Sequence, residues 1–313
     1  SGEYALVKMT FRYENRPLPK VTVTDMREEL RSGNRSVLGR TLKEAVEKRL
    51  EAHQQTILFL NRRGYAGFVS CRSCGEAMKC PHCDVALTEH NNGRLVCHYC
   101  GYEQPMVEKC PSCGSPYIGG FKAGTQQIEQ VLHKNFPAAR VLRMDYDTTR
   151  AKGSYEKILS AFAAHEADIL VGTQMIVKGH DFPDVTLVGA VAADLSLNAA
   201  DYRCAERTFQ LLTQAVGRSG RGNTEGEAVI QTYHPEHYSI RAAAAQDYEM
   251  FYQEEMAYRL LMDYPPAAHM LAVLASAEDE ELLNQGMEYM AKFVRRIGEK
   301  HRLHVIGPAY ASV

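Results

Sequence analysis

The chain has 313 residues, 45% of them hydrophobic and 24% charged, with a formal net charge of −2. That length allows two or three domains, and the balance excludes a fibrous or disordered chain. Near-neutrality gives no bulk charge to announce a nucleic-acid partner, although a local basic stripe is compatible with it. No stretch approaches the roughly 18 consecutive apolar residues of a membrane helix and no signal pattern opens the chain, so a cytoplasmic location is expected. Ser1-Gly2 reads as a cloning scar and Ala311-Ser312-Val313 as a cut end, so the sequence is expected to be an excised piece of something longer.

In chain order, a helix is predicted over Thr41–Ala52, with Leu42, Val46 and Leu50 on one face, and a short strand over Thr56–Leu60. A cysteine-rich segment follows. Thr125–Phe136 is helical, with Ile128, Val131 and Leu132 inward and Pro137 as its stop, and Val141–Met144 is strand-like. A helix capped by Ser154 carries Ile158, Leu159 and Phe162, and Asp168–Gly172 is a strand. The continuous apolar run Thr186–Val191 predicts a strand buried on both faces; a helix over Asp201–Ala215 and a strand over Ala228–Thr232 complete the series. Alternating strands and helices predict an α/β fold, a mostly parallel sheet with ligands at the carboxyl ends of its strands. Beyond Pro235 two helical stretches lead to a boundary at Asp263-Tyr264-Pro265-Pro266, and His269–Val313 reads as an incomplete β-α-β unit.

Eight of the nine cysteines form four Cys-x-x-Cys pairs: Cys71/Cys74, Cys80/Cys83, Cys97/Cys100 and Cys110/Cys113. In a reducing compartment such pairs are metal ligands, and eight thiolates make two Cys₄ zinc sites. Glycines after Cys74, Cys100 and Cys113 suit the tight turn that aims backbone N–H groups at sulfur. Thirteen residues separate the two inner pairs, which favours a nested scheme: Cys71, Cys74, Cys110 and Cys113 around one zinc, and Cys80, Cys83, Cys97 and Cys100 around the other. A cross-braced scheme is the alternative, and the sequential one fits worst, with only five residues between Cys74 and Cys80. Closed Cys₄ shells leave no position for water, so both zincs are expected to be structural, stabilising a segment with almost no apolar core of its own. His82 and His98, inside the turns, are not needed as ligands, and Cys204 reads as a small buried residue on a helix.

Three further groups sit at strand or helix ends: Val171-Gly172-Thr173-Gln174, Lys178-Gly179-His180-Asp181, and Gln214 to Arg221. Arg218 and Arg221 could bring two guanidiniums to one polyphosphate, while Gly172-Thr173 offers donors and Lys178 charge to a phosphate. No Gly-x-x-x-x-Gly-Lys-Ser/Thr loop is present, so the arginine pair suggests half of a two-lobed motor. Tyr65, Phe68, Tyr99, Tyr102 and Tyr117 frame the cysteines and could stack on bases or pack on the turns.

The run Leu58-Phe59-Leu60-Asn61-Arg62-Arg63-Gly64-Tyr65, the four cysteine pairs after it, Gly172-Thr173-Gln174-Met175, Lys178 to Val185 and Gln214-x-x-Gly-Arg-x-Gly-Arg together resemble the PriA family of replication-restart superfamily 2 DNA helicases. The resemblance implies an interlobe segment over 1–23, a second RecA-like lobe over 24–67 and 116–262, a zinc subdomain inserted at 68–115, and a truncated α+β C-terminal domain over 263–313. It implies an ATP-dependent 3′→5′ helicase that recognises stalled forks and starts primosome reassembly, using ATP and Mg²⁺ in the intact protein. Gly179, Asp181, Gly217, Arg218 and Arg221 would face ATP, with Gln214, Arg218 and Arg221 catalytic; Arg62, Thr173, Gln174 and Lys178 would touch DNA. Implied partners are forked and single-stranded DNA, the tail of the single-stranded-DNA-binding protein, and primosome and helicase-loading proteins. The lobe carrying Walker A and B motifs is absent, so the fragment is expected to hydrolyse no ATP. The sequence departs from the family where it has Ala192-Ala193-Asp194 for Asp-Ala-Asp and Ala200 for proline. A non-catalytic zinc module that binds single-stranded DNA or replication proteins is the competing reading.

Overall fold

The computed structural model describes residues 5, 7, 17–60, 68–90, 92–120, 124–176, 182–199, 201–222, 224–300 and 303–310. Their elements are β1 (Lys20–Asp25), α1 (Met26–Arg31), α2 (Arg40–Glu51), β2 (Gln55–Leu60), β3 (Val69–Cys71), β4 (Thr88–Glu89), β5 (Arg94–Val96), β6 (Glu103–Pro105) and β7 (Ile118–Gly120). There follow α3 (Thr125–Asn135), β8 (Val141–Met144), α4 (Ser154–Ala163), β9 (Ile169–Gly172), β10 (Val185–Val191), α5 (Asp194–Leu197), α6 (Cys204–Val216), β11 (Glu227–Thr232), α7 (Tyr238–Ala245), α8 (Tyr248–Leu261) and α9 (Glu280–Gly298). The chain divides into two compact units.

The first unit comprises Ser1–Arg63, Ala123–Ala193 and Thr208–Asp247. It holds a six-stranded sheet in the order β1-β11-β10-β2-β9-β8, and every pairing in it is parallel. Each residue of β2 and β10 is buried, which is why both read as unbroken apolar runs rather than alternating ones. Gly189, at the middle of β10, lets α2 lie close: a Cβ there would sit 2.6 Å from Leu58 Cδ2 and 2.8 Å from Leu42 Cδ1. Two buried glutamines carry backbone groups that the sheet leaves open. Gln55 Nε2 donates to the carbonyls of Phe162 and Ala167 at 2.7 and 2.9 Å, and Gln231 accepts from Gly39 N–H at 2.7 Å while donating to Val37 O at 2.8 Å.

Several sequence expectations change here. Lys20–Asp25, which straddles the expected boundary between the interlobe segment (1–23) and the lobe, forms edge strand β1 in register with β11 from Lys20↔Glu227 to Asp25↔Thr232. The cap of α4 is Gly153 in the left-handed region, with no side-chain cap, because Ser154 Oγ donates back to Ala151 O at 2.8 Å. The helix expected from Asp201 starts at Cys204, after the separate short helix α5.

The second unit comprises Gly64–Lys122, Asp194–Arg207 and Tyr248–Val313. It contains the antiparallel pair β3-β7 and the antiparallel sheet β4-β5-β6. Residues 194–207 and 248–262 group with the cysteine-rich segment in it. Long-range bonds explain why. Tyr258 OH donates to Asp84 at 3.1 Å, Tyr264 OH donates to Cys83 O at 2.8 Å, and Arg259, only 8% exposed, bonds Glu206 at 2.6 Å and Glu255 at 2.8 Å. Through Tyr264, Asp263-Tyr264-Pro265-Pro266 is tied into this unit. The expected β-α-β unit yields α9 alone: among the described residues no strand flanks it, because the flanking segments pair with no other strand.

Candidate functional site

The four Cys-x-x-Cys turns repeat one geometry. The first cysteine of each accepts a hydrogen bond from the residue after the second: Gly75 N–H to Cys71 O at 2.7 Å, Asp84 to Cys80 at 3.0 Å, Gly101 to Cys97 at 2.9 Å and Gly114 to Cys110 at 2.8 Å. That donor has positive φ every time, at 88°, 52°, 76° and 71°, so three turns use glycine and the other an aspartate, a residue that tolerates this region. The first cysteine's own N–H donates to the residue five positions on, namely Glu76, Val85, Tyr102 and Ser115, at 2.8–2.9 Å. Each turn is thereby locked from both sides.

The turns gather eight sulfurs into two groups, Cys71, Cys74, Cys110 and Cys113, and Cys80, Cys83, Cys97 and Cys100, with all ligand atoms of a group within 4.8 Å of one another. Sulfur pairs lie 3.6 Å apart for Cys71/Cys113, Cys74/Cys110 and Cys80/Cys100. Four sulfurs at about 2.3 Å from a tetrahedral zinc stand about 3.8 Å apart, so the donor set and spacing fit two structural zinc ions. The grouping is the nested one. Burial, with neighbouring sulfurs assisting, pushes the thiol of Cys74 up to about 12 and that of Cys97 to about 11. Cys110, against its burial, is drawn down to about 7 by the N–H groups of Cys113 and Ser112. With thiols such as Cys74 and Cys97 resisting ionisation, either group holds four thiolates only when a cation compensates them.

The segment is less poor in apolar residues than the sequence suggests. Val69, Met78, Val85, Leu87 and Leu95 are buried beside Cys80, Cys83 and Cys97, and this small core was missed because its members are scattered over short strands and the turns between them, without periodicity. Of the framing aromatics, Phe68 is buried, Tyr99 OH accepts the N–H of Tyr202 at 3.1 Å, Tyr102 OH donates to Gln104 at 3.1 Å, and Tyr117 is exposed. Tyr65 lies outside the described residues. His82 meets Tyr102 edge-on at 5.5 Å, and Cys204, half-buried, opens α6 and joins neither sulfur group.

In the first unit the motif residues occupy both edges of the sheet. Thr173 and Gln174 follow β9 at the carboxyl edge, where Thr173 N–H reaches Met144 O, the last residue of β8, at 3.4 Å and a 3-10 turn over Gln174–Ile176 begins. Thr173 is 7% exposed, and its Oγ1 has no hydrogen-bond partner among the described residues. A Cβ on Gly172 would lie 2.5 Å from Met144 O, so only glycine permits this approach.

Gln214 lies near the end of α6, exposed, and Gly217, Arg218 and Arg221 just beyond it, each half-buried. Gly220 N–H donates to Val185 O at 3.1 Å, which sets this turn at the amino edge of β10, opposite to the carboxyl-end placement the sequence suggested. The reason is connectivity: the segment joining two parallel strands must return the chain to the amino edge before the next one. Arg221 Nε donates to Gly217 O at 3.0 Å, which orients the guanidinium. Arg62, Lys178, Gly179 and Asp181 lie outside the described residues. Ala192 sits at φ 55°, and Asp194 is buried at the start of α5; Ala200 is outside the described residues.

Two family models match the chain. Residues 80–105 match the PriA DNA helicase Cys-rich region domain, and residues 120–223 match the helicase conserved C-terminal domain. The replication restart protein PriA of Bacillus subtilis is 50% identical over 295 residues, 94% of this chain. This is a PriA-family sequence. The PriA proteins of Synechocystis and Chlamydia trachomatis are 44% and 40% identical over 96% and 95% of the chain. The chain spans only 37–39% of the length of these three PriA relatives. Domain 2 of the DEAD-box helicase Mss116p, solved with an RNA duplex, aligns over 91% of the chain at 11% identity and a TM-score of 0.35. No described helix is long and apolar enough to cross a membrane.

Proposed function

We propose that the chain supplies the second RecA-like lobe, the zinc module and part of the C-terminal domain of an ATP-dependent 3′→5′ DNA helicase, which recognises stalled replication forks and begins primosome reassembly. The observation that carries this reading is the turn after α6, which carries both Arg218 and Arg221, with Arg221 fixed against Gly217 O. Two guanidiniums on one turn suit a triphosphate bound with Mg²⁺ on another lobe, where they stabilise charge on the transferring group. Gln214 and Gly217 belong to the same motif, and Gly179 and Asp181 complete the nucleotide side. Thr173 and Gln174, at the other edge of the sheet, take the DNA backbone together with Arg62 and Lys178. The tail of the single-stranded-DNA-binding protein and the primosome loaders are partners of the whole protein on this reading.

ATP hydrolysis by an intact protein carrying this segment, measured with and without forked DNA, provides the test. Arg221→Ala is expected to lower DNA-stimulated turnover by about 10³-fold or more while DNA binding persists. Undiminished turnover in that variant overturns the proposal. The 313-residue chain alone is expected to release no phosphate from ATP, and release that depends on Arg221 would remove the need for a second lobe.

A further inference from the structure

Outside the two sulfur groups, the second unit brings two histidine rings face to face. His90 follows β4 at the hairpin turn, and His98 lies inside the Cys97–Cys100 turn. Their Nε2 atoms are 3.3 Å apart, with ring centroids at 5.2 Å and planes tilted by 44°. His90 is exposed and His98 half-buried.

The other nitrogen of His98 decides what Nε2 presents. His98 Nδ1 lies 3.1 Å from the carbonyl oxygen of Tyr310. A carbonyl only accepts, so Nδ1 carries the proton and the neutral ring turns the Nε2 lone pair toward His90. This is the arrangement by which metal-binding histidines are held: one nitrogen donates to a carbonyl, fixing tautomer and ring direction, and the other ligates. The carbonyl is itself anchored, because Tyr310 OH receives a hydrogen bond from Asn284 Nδ2 at 3.0 Å and donates to Glu280 Oε1 at 3.0 Å, both at the start of α9.

The nitrogens stand at the far end of hydrogen-bond range, and the same spacing fits a shared ion. Two imidazole nitrogens at 2.0–2.1 Å from a tetrahedral ion stand about 3.3–3.4 Å apart, which matches.

We infer that His90 and His98 form a third cation site, distinct from the two sulfur groups, for a divalent transition metal of the zinc, nickel or copper class. Imidazole is the ligand type this class favours, and hard cations such as magnesium prefer oxygen. Two protein ligands leave coordination positions to water, so the ion exchanges rather than holding the fold together. When bound, it joins the β4–β5 turn to the Cys97–Cys100 turn. The inference is independent of the helicase reading.

Nickel titration of the zinc-loaded, tag-free 313-residue chain tests it, with zinc content measured on the same samples. The wild-type chain is expected to take up one nickel beyond two retained zincs. His90→Ala and His98→Ala should each weaken that uptake at least tenfold, and His82→Ala should leave it unchanged. In long-range ¹⁵N–¹H spectra nickel should broaden the Nε2 signals of His90 and His98 first. Equal nickel affinity in His90→Ala, no uptake by the wild type, or nickel gained only as zinc is lost would each overturn the site.

Discussion

The sulfurs of Cys74 and Cys110 lie 3.6 Å apart although 36 residues separate them in the chain. Between them run all three strands of the β4-β5-β6 sheet and the whole of the second sulfur group, so the first group closes the loop within which the second forms. Closing a loop of that length is entropically costly, and bound zinc offsets the cost: structural zinc sites contribute about 10–16 kcal/mol of apparent binding energy in small domains.

Cys110→Ser is therefore expected to reduce zinc content from two ions per chain to one and to open 71–113 to protease. Cys97→Ser is expected to remove the other ion and to loosen the small core around Val85, Leu87 and Leu95. Elemental analysis with limited proteolysis separates these outcomes. Loss of both zincs in either variant would show that the sites fold as one, and loss of neither would exclude these cysteines as ligands.

Ala192 adopts φ 55° without the glycine or short polar side chain that accommodates the left-handed region. Ala192→Gly should raise stability by about 1 kcal/mol, since the site is buried and strain is relieved. Ala192→Asn, whose short polar side chain tolerates the left-handed region, should recover part of that gain. Thermal melting checks both, and a lower midpoint in the glycine variant would contradict strain at this position.

Gly189→Ala puts a methyl group against Leu58 and Leu42, at 2.6 and 2.8 Å before any relaxation. Overpacking of a filled core costs about 1–3 kcal/mol, read as a shift of the denaturant midpoint. Recovery in Gly189→Ala combined with Leu42→Val would identify α2 as the element displaced, and no recovery would place the strain elsewhere.

Asp145, after β8, is buried, yet the Thr125 hydroxyl, the Thr148 N–H and the nearby Arg143 hold its carboxyl below the usual range. Its folded value is depressed, so its contribution is present above the unfolded value of about 3.9 and is lost as pH falls through the lower folded one. Asp145→Asn should cost about 2 kcal/mol at neutral pH and flatten the acid limb below about pH 4. Stability measured from pH 7 to pH 2 decides it; an unchanged acid limb would mean that Asp145 is not a principal acid-sensitive group.

What could be read from sequence followed from local chemistry. Unbroken apolar runs marked β2 and β10, and cysteine spacing favoured the nested partnership without excluding a cross-brace. β1 had a signal that went unused: Lys-Val-Thr-Val-Thr-Asp alternates and is β-branched, but nothing local showed a partner in β11, some 200 residues away in register. The same limit hid the grouping of α8 with the cysteine turns, which rests on Tyr258 reaching Asp84 across 174 residues and Tyr264 reaching Cys83 across 181. The edge occupied by Arg218 and Arg221 depended on strand connectivity rather than residue type. The His90–His98 approach needed the hairpin turn and the cysteine turn to be folded first.

The antiparallel pair β3-β7, from Val69↔Gly120 to Cys71↔Ile118, brings the entry and exit of the cysteine-rich segment side by side. A segment held at its base by a two-stranded stem can gain or lose residues between its turns without shifting the register of strands that precede or follow it. Evolution can then lengthen the β4–β5 turn, or recast its surface for another partner, while β2 and β9 keep their pairing. The stem separates two histories within one gene: a sheet whose register permits little drift, and a metal-bound appendage that is free to vary in length.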